Sequence, residues 1–327
     1  MSLVSIIMPA KNAGPFIEEC LNSILNQTYD DWELIAVNDN STDGTIEKLQ
    51  EFSKKDNRIT ALDNTGNGII DALKLAYSKC GGTYVTRMDA DDIMPPSKLE
   101  LMVASCEPNT VVTGKVKYIG ENLREGYIYY QDWLNKFVDS DNHYSEIYRE
   151  CVIPSPCWMM DRQSFENIGG FESEIYPEDY DLVFRMYQHS VKVKPIKELL
   201  HIWRDHGARA SRNDDNYSDN NFLDLKEKYF LNLDHDSEKK LCVLGAGKKG
   251  KTMVKKFIEQ GLDFIWATDN LNKIGKNMYG KIIANQDVVF DSKESYQVII
   301  LVANKDEQEI IKSKLSEKPN LDGFWFC

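Results

Sequence analysis

The sequence lacks a long hydrophobic run, since no apolar stretch in its 327 residues approaches the ~18 residues that a transmembrane helix requires. Its first residues, MSLVSIIMPAKN, also lack the basic segment and extended apolar core of a secretory signal. We therefore expect neither a transmembrane helix nor a cleaved leader. These absences predict a cytoplasmic location and leave peripheral association with a membrane surface open.

The sequence also lacks Cys-x-x-Cys pairs and any excess of basic residues. An odd number of scattered cysteines favours reduced, buried thiols over a disulfide framework. There are seven: Cys20, Cys80, Cys106, Cys151, Cys157, Cys242 and Cys327. The formal net charge of −13 argues against broad electrostatic binding to nucleic acid.

Strand and helix patterns alternate through the first hundred residues. Short runs of β-forming residues predict strands at 3–8, 32–37, 58–62 and 83–88. Apolar residues at helical spacing lie between them, so we predict an α/β fold with an open, mostly parallel sheet. Domains average ~100–200 residues, and we place two of them at 1–233 and 234–327, near the charged segment LDHDSEKK.

Three carboxylates crowd the loop MDADD, which follows the fourth predicted strand. Asp89, Asp91 and Asp92 fall within four residues, while Pro9 and Asp39 follow two other strands. Ligands of open parallel sheets bind at the carboxyl ends of the strands. Two carboxylates at i and i+2 can approach one hard cation from the same side, and their oxygens suit Mg²⁺ or Mn²⁺. The alternative is a solvated turn whose last carboxylate favours a helix start.

Three segments together resemble family 2 of the glycosyltransferases, which have the GT-A fold. They are VSIIMPAKNAGPFIEECLNSILNQTYDDWELIAVNDNSTDGT, GNGIIDALKLAYSKCGGTYVTRMDADD and ENIGGFESEIYPEDYDLVFRM. The resemblance covers residues 3–211 and implies a transferase that inverts the anomeric centre of its donor sugar. It further implies a nucleotide-sugar donor, with UDP as the favoured nucleotide, and a divalent cation on the diphosphate.

The resemblance implies that the nucleotide lies at the ends of the first two strands. Asp39 would accept a hydrogen bond from the uracil N3–H, although Asp in the segment NDNSTDGT also suits an ordinary turn. The backbone of Pro9 and Ala10 would run beside the base. Asn12 would follow it, where the family usually has Tyr-Asn and this chain has Lys11-Asn12.

Further contacts to the donor are implied by the following loops. Gly66 and Gly68 would allow the backbone to approach the nucleotide closely, or would serve a simple turn. Asp89 would contact the ribose or a metal-bound water, and Asp91 would bind the metal that bridges the diphosphate. His206 could complete the metal shell, or it could be structural.

Inversion requires a carboxylate that takes the proton of the attacking hydroxyl. The family pattern places this base at Asp179, beside Glu178, in the segment YPEDYDLVFRM. Mutual repulsion and partial burial could raise the pKa of one of the two carboxyls. The alternative is that the pair caps the N-terminus of the following helix.

Two further kinds of contact are predicted for the diphosphate and the acceptor. Arg204, Arg209 and Arg212 could lie over phosphate oxygens, whereas the alternative for Arg204 is a surface salt bridge. Trp158 could present its ring to the acceptor or the donor sugar, because aromatic faces suit the C–H faces of pyranoses. Its alternative is an ordinary place in the core.

A second α/β pattern begins at LCVLGAGKKG. Gly245, Gly247 and Gly250 open a predicted helix and Asp269 ends the next strand, which is the form of a dinucleotide fingerprint. The segment IGKNMYGKIIANQD resembles the small nucleotide-sugar-binding domain in front of some bacterial sugar acyltransferases. Three interpretations are open: a second nucleotide or nucleotide-sugar site, a packing or dimerisation domain, and an NAD site.

These patterns favour an inverting glycosyltransferase that acts on a glycan or lipid-linked acceptor in bacterial surface polysaccharide synthesis. A homo-oligomer is left open. One alternative is a nucleotide-sugar-modifying enzyme whose main site is the C-terminal glycine loop. Another is a protein that binds a nucleotide-sugar and acts as a scaffold without catalysing a reaction.

Overall fold

The computed structural model describes residues 2–121, 123–207, 209 and 222–327. The chain forms two compact units. One consists of Met1–Ser145 and Cys151–Asp214, and the other of Glu146–Glu150 and Asp215–Cys327. The first unit contains the predicted nucleotide loops and the acidic loop, and the second contains the predicted glycine loop.

Strands and helices alternate in the first unit. In chain order they are β1 Val4–Ala10, α1 Ile17–Leu25, β2 Trp32–Asn38, α2 Thr45–Lys55, β3 Ile59–Asp63, α3 Ile69–Tyr77, β4 Tyr84–Arg87, α4 Lys98–Ser105, β5 Thr110–Ile119, α5 Glu125–Ser140, β6 Trp158–Asp161, α6 Arg162–Asn167, α7 Glu178–Gln188 and β7 Lys192–Arg204. A short 3₁₀ helix, His143–Glu146, follows α5.

The strands of the first unit form one seven-stranded sheet in the order β3-β2-β1-β4-β6-β5-β7. The strands β3, β2, β1 and β4 are mutually parallel, and β5 is parallel to β7. Only β6 among the described strands of this sheet runs against its neighbours, which are β4 and β5. The predicted α/β fold with a mostly parallel sheet is therefore confirmed. The carboxyl ends of β1 to β4 share one edge, where their loops meet.

The core explains why these segments fold as they do. Strand β1 is buried along almost its whole length, as expected for a central strand of a parallel sheet that is covered on both faces. Helix α1 buries one stripe at helical spacing, formed by Ile17, Cys20, Leu21 and Ile24. The opposite face of α1 carries Glu18 and Glu19 in its first turn, where acidic residues are favoured by the helix dipole.

The second unit contains its own sheet. Its elements are α8 Phe222–Leu233, β8 Lys240–Leu244, α9 Lys248–Glu259, β9 Ile265–Thr268, β10 Asn277–Met278, β11 Lys281–Ile282, β12 Ala284–Asn285, α10 Asp287–Phe290, β13 Tyr296–Ile300, α11 Lys305–Ser316 and β14 Leu321–Trp325. Five parallel strands lie in the order β12-β9-β8-β13-β14. This arrangement confirms the predicted Rossmann-like fold class of the unit.

The glycine loop between β8 and α9 is explained largely by packing. Gly245 has φ +120, and a Cβ there would lie 2.5 Å from the carbonyl oxygen of Leu301. A Cβ at Gly250 would lie 2.1 Å from the carbonyl oxygen of Gly245, so the helix can approach the strand only with glycine there. A Cβ at Gly247 would meet no atom within 4 Å, and Asp269 is exposed after β9. A ligand of these four residues remains a prediction.

The boundary of the second unit differs from the one predicted at residue 233. Helix α8 belongs to the second unit, because it buries an apolar face that includes Leu223, Tyr229 and Phe230. Residues 146–150 belong to it as well, although the sequence on both sides of them belongs to the first unit. This five-residue insertion has no counterpart in the sequence-based boundary.

Aromatic packing holds the five-residue insertion within the second unit. Tyr148 is 4% exposed and stacks on Phe326 with ring centroids 5.3 Å apart. Phe230 and Phe324 meet its ring edge to face, and its hydroxyl donates to Asp234 Oδ2 at 2.5 Å. Such aromatic pairs stabilise a core beyond the area that they bury.

The residue after Tyr148 adds polar contacts. The guanidinium of Arg149 lies 4.9 Å from the ring centroid of Trp325, and its Nη2 donates to Gln308 Oε1 at 3.0 Å. The backbone oxygen of Arg149 accepts a 2.7 Å hydrogen bond from the buried Lys226 Nζ. Burial lowers the pKa of this lysine to about 8. The insertion is thus held by residues from α8, α11 and the end of the second sheet.

We expect Tyr148→Ala to destabilise the protein strongly. Removing a buried aromatic side chain costs about 3 kcal/mol or more, because a cavity replaces its contacts. Urea denaturation of the full chain measures the change in the free energy of unfolding. Tyr129→Ala, which truncates a tyrosine that is 47% exposed, is the matched control. Equal stability of the two variants would show that the insertion does not depend on this packing.

Candidate active site

The loop after β2 presents a fixed carboxylate. Asp39 is 3% exposed, and its Oδ1 accepts hydrogen bonds from Asn64 Nδ2 at 2.8 Å and from the backbone N–H of Gly68 at 2.9 Å. Burial opposes the charge of Asp39, but these hydrogen bonds outweigh it and lower the pKa of the carboxyl. Asp39 is therefore held in a cradle formed by two donors of one neighbouring loop, the loop after β3, unlike a solvated turn residue.

The end of β1 is tied to the same loop. Asn12 has φ 49, its Oδ1 accepts the backbone N–H of Thr42 at 2.9 Å, and its own N–H donates to Ser41 Oγ at 2.9 Å. The side chain of Asn12 therefore orders the loop around Asp39 rather than pointing away from it. A nucleotide contact of Pro9, Ala10 or Asn12 remains a prediction.

The two glycines of the loop after β3 are needed for different reasons. A Cβ at Gly66 would lie 2.2 Å from Asp71 Oδ2, so the carboxylate of Asp71 occupies the space of a side chain. Gly68 has φ +90, a backbone conformation that favours glycine. This geometry accounts for both residues as parts of the Asp39 cradle. Their contact with a nucleotide remains a prediction.

A buried arginine joins the acidic loop to helix α7. Arg87 is 5% exposed; its Nε lies 2.9 Å from Asp89 Oδ1, and its Nη1 lies 2.9 Å from Glu178 Oε1. Burial opposes the charge of Arg87, but the two carboxylates outweigh it and raise the pKa of the guanidinium. Asp89 Oδ1 thus has a structural role as a partner of the Arg87 guanidinium. Its contact with a metal or a ribose remains a prediction.

The adjacent carboxyl of Asp179 has a raised pKa. Burial, reinforced by the neighbouring charge of Glu178, raises the pKa of Asp179 to about 7, whereas Arg87 acts in the opposite direction. Both acids lie in the first turn of α7, and the cap position is Pro177, without a side-chain cap. Asp179 Oδ1 accepts the backbone N–H of Tyr180 at 2.7 Å. Neither acid is therefore the N-cap of the helix, the alternative considered from the sequence.

Asp91 and His206 lie together at the carboxyl end of the sheet. His206 Nε2 is 2.8 Å from Asp91 Oδ2, and the imidazole packs against the ring of Phe16 at 4.2 Å between centroids. Burial opposes the charge of Asp91, but the hydrogen bond with His206 and the charge of Arg209 lower the pKa of its carboxyl. The sequence predicted both residues as metal ligands, and the structure brings them together.

The donor atoms of this pair fit a divalent cation. A carboxylate with an imidazole suits a transition ion such as Mn²⁺ better than Mg²⁺, which prefers oxygen ligands. No group of three or more His, Cys, Asp and Glu side chains with the arrangement of a metal site occurs within the described residues. An ion at Asp91 and His206 would therefore need further ligands, and the diphosphate of a donor can supply them.

Asp92, the third carboxylate of the cluster, is structural. It is 1% exposed; its Oδ2 lies 2.9 Å from His201 Nε2, and its Oδ1 accepts the backbone N–H of Arg204 at 2.8 Å. Burial raises the pKa of Asp92 and lowers the pKa of His201, so neither charge is favoured in this contact. Asp92 thus ties the acidic loop to the end of β7, from which the chain continues to His206.

One predicted arginine lies beside the acidic loop. The guanidinium of Arg209 is 5.4 Å from the ring centroid of Tyr118 and 5.8 Å from that of Trp203. Burial opposes its charge, but Asp92 and its neighbours raise the pKa of Arg209 above the ordinary value. Arg212, the last of the three predicted arginines, lies outside the described residues.

Two residues that were predicted to contact ligands have contacts within the protein. Trp158 is 2% exposed and stacks on Phe165, with ring centroids 5.5 Å apart, so its ring belongs to the core and presents no open face to an acceptor. Arg204 Nη2 lies 2.6 Å from Glu19 Oε2, and its Nε donates to the backbone oxygen of Asp91 at 3.1 Å. The guanidinium is therefore engaged by protein acceptors, as in the salt-bridge alternative considered from the sequence, and its contact with a phosphate remains a prediction.

Sequence reasoning missed two cations that the structure places beneath this site. Arg87 stands in a buried strand just before the acidic loop, and a charge at such a position requires a partner. Lys98 is fully buried and donates to the backbone oxygen of Pro156 at 2.6 Å. The signal for Arg87 was available in the segment TYVTRMDADD. For Lys98 there was none, because the start of a helix is an ordinary surface position for lysine.

Comparison with known proteins identifies the family. Residues 5–169 match the family model described as Glycosyl transferase family 2. The chain belongs to this family of glycosyltransferases. The family prediction is thereby confirmed, whereas the acyltransferase-like origin of the C-terminal unit is not.

Curated relatives of the chain are also named as glycosyltransferases. An uncharacterized glycosyltransferase of Haemophilus influenzae is 44% identical over 151 residues, which are 42% of this chain and 46% of the relative. The Escherichia coli UDP-Glc:alpha-D-GlcNAc-diphosphoundecaprenol beta-1,3-glucosyltransferase WfgD is 30% identical over 225 residues, covering 62% of this chain and 84% of WfgD. The chain spans only part of the length of other curated relatives. The share is between 24% and 61% for four of them, one of which is the Haemophilus influenzae protein.

A solved structure supports the fold. Staphylococcus aureus TarS 1-349 in complex with UDP-GlcNAc matches with a TM-score of 0.53 and 17% identity, over 72% of this chain and 68% of that chain. At this identity the match bears on the fold alone, and it confirms the GT-A fold. No described helix has the length and apolar character needed to cross a bilayer.

We expect the raised pKa of Asp179 to appear in the pH dependence of activity. A base must be unprotonated, and its pKa is about 7, so kcat/KM should fall about tenfold per pH unit below that value. Asp179→Asn should bind nucleotide normally, lose at least ~100-fold in turnover, and lack this acidic limb. An unchanged acidic limb in Asp179→Asn would assign the titration to another group.

We expect Arg87→Met to be destabilised by about 3 kcal/mol, because it leaves the buried carboxylate of Glu178 and the partly exposed carboxylate of Asp89 without their cation. Chemical denaturation measures this change, with Lys55→Met as the exposed control. The double variant Arg87→Met/Glu178→Gln should recover part of the loss, since it removes one of the stranded charges. If the double variant lost as much free energy of unfolding as the two single variants added together, Arg87 and Glu178 would act independently.

Proposed function

We propose that the chain transfers a sugar from a UDP-linked donor to a glycan or lipid-linked acceptor, with inversion at the anomeric carbon. The observation that carries this proposal is the linked pair of sites at one sheet edge. Arg87 connects the acidic loop, which carries Asp91, to the turn of α7 that carries Asp179. A leaving-group site and a base are both required for a single displacement.

The nucleotide end of the proposal is supported by the cradle of Asp39. Its carboxylate is held by Asn64 and Gly68 and its pKa is lowered, so it is ionised at neutral pH and can accept an N–H from a base. The names of relatives agree with a UDP donor: WfgD uses UDP-Glc, and TarS was solved with UDP-GlcNAc. We extend this donor class to the present chain.

The chemistry follows from the carboxylates. The acceptor hydroxyl oxygen forms a bond to the anomeric carbon while the bond from that carbon to the diphosphate oxygen breaks. Asp179 takes the hydroxyl proton, and its pKa of about 7 suits both uptake and later release of a proton near neutral pH. Asp91 and His206 would hold the divalent cation, which stabilises the negative charge on the departing nucleoside diphosphate.

The setting of the reaction is proposed from the relatives. WfgD acts on a diphosphoundecaprenol-linked acceptor, and a Bacillus subtilis relative is named for teichuronic acid biosynthesis. We propose a comparable surface-polysaccharide acceptor for this chain. A lipid-linked acceptor would bring the protein to the inner face of the plasma membrane by peripheral contact, in keeping with the predicted cytoplasmic location.

A second candidate function centres on the C-terminal glycine loop. It is favoured by the open space at Gly247, where an added Cβ would meet no protein atom. Gly247→Ala is therefore a clean probe, because only a ligand close to the loop would be disturbed. In a nucleotide-sugar-modifying enzyme of this kind, Gly247→Ala would abolish activity and Asp91→Asn would be mild.

The proposed transferase is tested by UDP release from a panel of UDP-sugars with Mn²⁺. Asp91→Asn should keep the fold and lose about 100-fold or more of the turnover, the scale on which one transition-state contact acts. Excess EDTA should have a similar effect on the wild type. Glu51→Gln, which neutralises an exposed carboxylate, is the control. Full activity of Asp91→Asn, or of the EDTA-treated enzyme, would contradict the metal-dependent mechanism.

A further inference from the structure

The two oxygens of the Asp39 carboxylate have different surroundings. Oδ1 receives N–H groups from Asn64 and Gly68, and more distantly from Asn40 Nδ2 at 3.4 Å. Oδ2 has one contact among the described residues, with Lys11 Nζ at 3.4 Å. Oδ1 is therefore saturated by the protein, and Oδ2 is the oxygen with capacity for a ligand.

Lys11 has a fixed backbone and an adaptable amine. It follows β1 directly, between the buried Ala10 and Asn12, whose hydrogen bonds to Ser41 and Thr42 order the chain there. Its side chain is 57% exposed, compared with 5% for Asp39. The ion pair is long, at 3.4 Å, and its lysine end is exposed, so it contributes little to folding stability. The ammonium can thus turn from Asp39 toward a ligand at small cost.

We propose that Lys11 helps to select the base of the donor nucleotide, which rests on the proposed function. Asp39 Oδ2 accepts the ring N–H of the base, and Lys11 Nζ donates to the ring carbonyl oxygen beside it. Uracil presents N3–H flanked by carbonyls on both sides, so an ammonium next to the carboxylate meets an acceptor on either side. Cytosine presents an unprotonated N3, whose lone pair would face the carboxylate and be repelled.

Thio-substituted nucleotides test this contact atom by atom. UDP, 2-thio-UDP and 4-thio-UDP all keep N3–H, but sulfur is a weak acceptor in place of one carbonyl oxygen. Titration calorimetry gives the Kd of each nucleotide for the wild type, Lys11→Met and Lys11→Arg. Lys55→Met, which removes an exposed lysine elsewhere with the same change in charge, is the matched control.

The wild type should bind one of the two thio nucleotides about 3- to 10-fold more weakly than UDP, as expected for a partly exposed hydrogen bond from a charged donor. Lys11→Met should bind UDP more weakly by a similar factor and should no longer distinguish that thio nucleotide from UDP. Lys11→Arg, which keeps a cationic donor, should retain part of the discrimination. Lys55→Met should behave as the wild type.

Two outcomes would overturn the proposal. If Lys11→Met binds all three nucleotides more weakly by the same factor, or none of them more weakly, then Lys11 does not contact a base carbonyl. In that case UDP binding by the wild type leaves the proposed function intact. If the wild type binds no UDP, the proposed function fails together with this inference. Unchanged thermal unfolding of Lys11→Met ensures that either result reports on binding.

Discussion

The buried charge of Arg87 is the constraint on which the arrangement of the site depends. A guanidinium removed from water requires carboxylate partners, and here they come from the acidic loop and from helix α7. The same contact that neutralises the arginine therefore fixes the spacing between the two parts of the site. Glu178 directly precedes Asp179 in the chain, so burial and the like charge of Glu178 together raise the pKa of Asp179. Stability and reactivity are thus properties of one buried cluster.

Each of the three carboxylates of the acidic loop contacts a different nitrogen-bearing side chain. Asp89 meets a guanidinium, Asp91 meets the imidazole of His206, and Asp92 meets the imidazole of His201. The three contacts differ in burial, from the partly exposed pair at Asp91 to the enclosed pair at Asp92. The side chains of Asp89 and Asp91 are each 23% exposed, whereas that of Asp92 is enclosed, so the first two are the members of the cluster that the proposed diphosphate and cation could reach. The enclosed pair positions the loop instead.

The mostly parallel sheet and the clustering of loops at one edge could be predicted from the sequence, because both follow from local periodicity and from the rule for parallel strands. Asp39 and Asp179 were singled out in this way with the help of the family resemblance, and their roles stay predictions. Trp158 was not placed correctly, because the face of a strand that lies in the core depends on neighbours distant in the sequence. The contact of Arg204 with Glu19 on the first helix also depends on a residue distant in the sequence. Side-chain identity alone does not reveal which partner a flexible cation will take.

The five-residue insertion has a consequence for synthesis of the chain on the ribosome. Tyr148 is made in the middle of the first unit's sequence, but its aromatic partners Phe324 and Phe326 belong to the last strand and the residues after it. Until residues 324–326 have been made, this tyrosine lacks two of its aromatic partners, so the nascent protein carries an aromatic side chain that its core does not yet cover. A product that lacks Phe324 and Phe326 would leave that side chain uncovered, and proteases and chaperones act on such unfolded chain. The core of the second unit is therefore complete only when it combines residues 146–150, made with the first unit, with residues made much later.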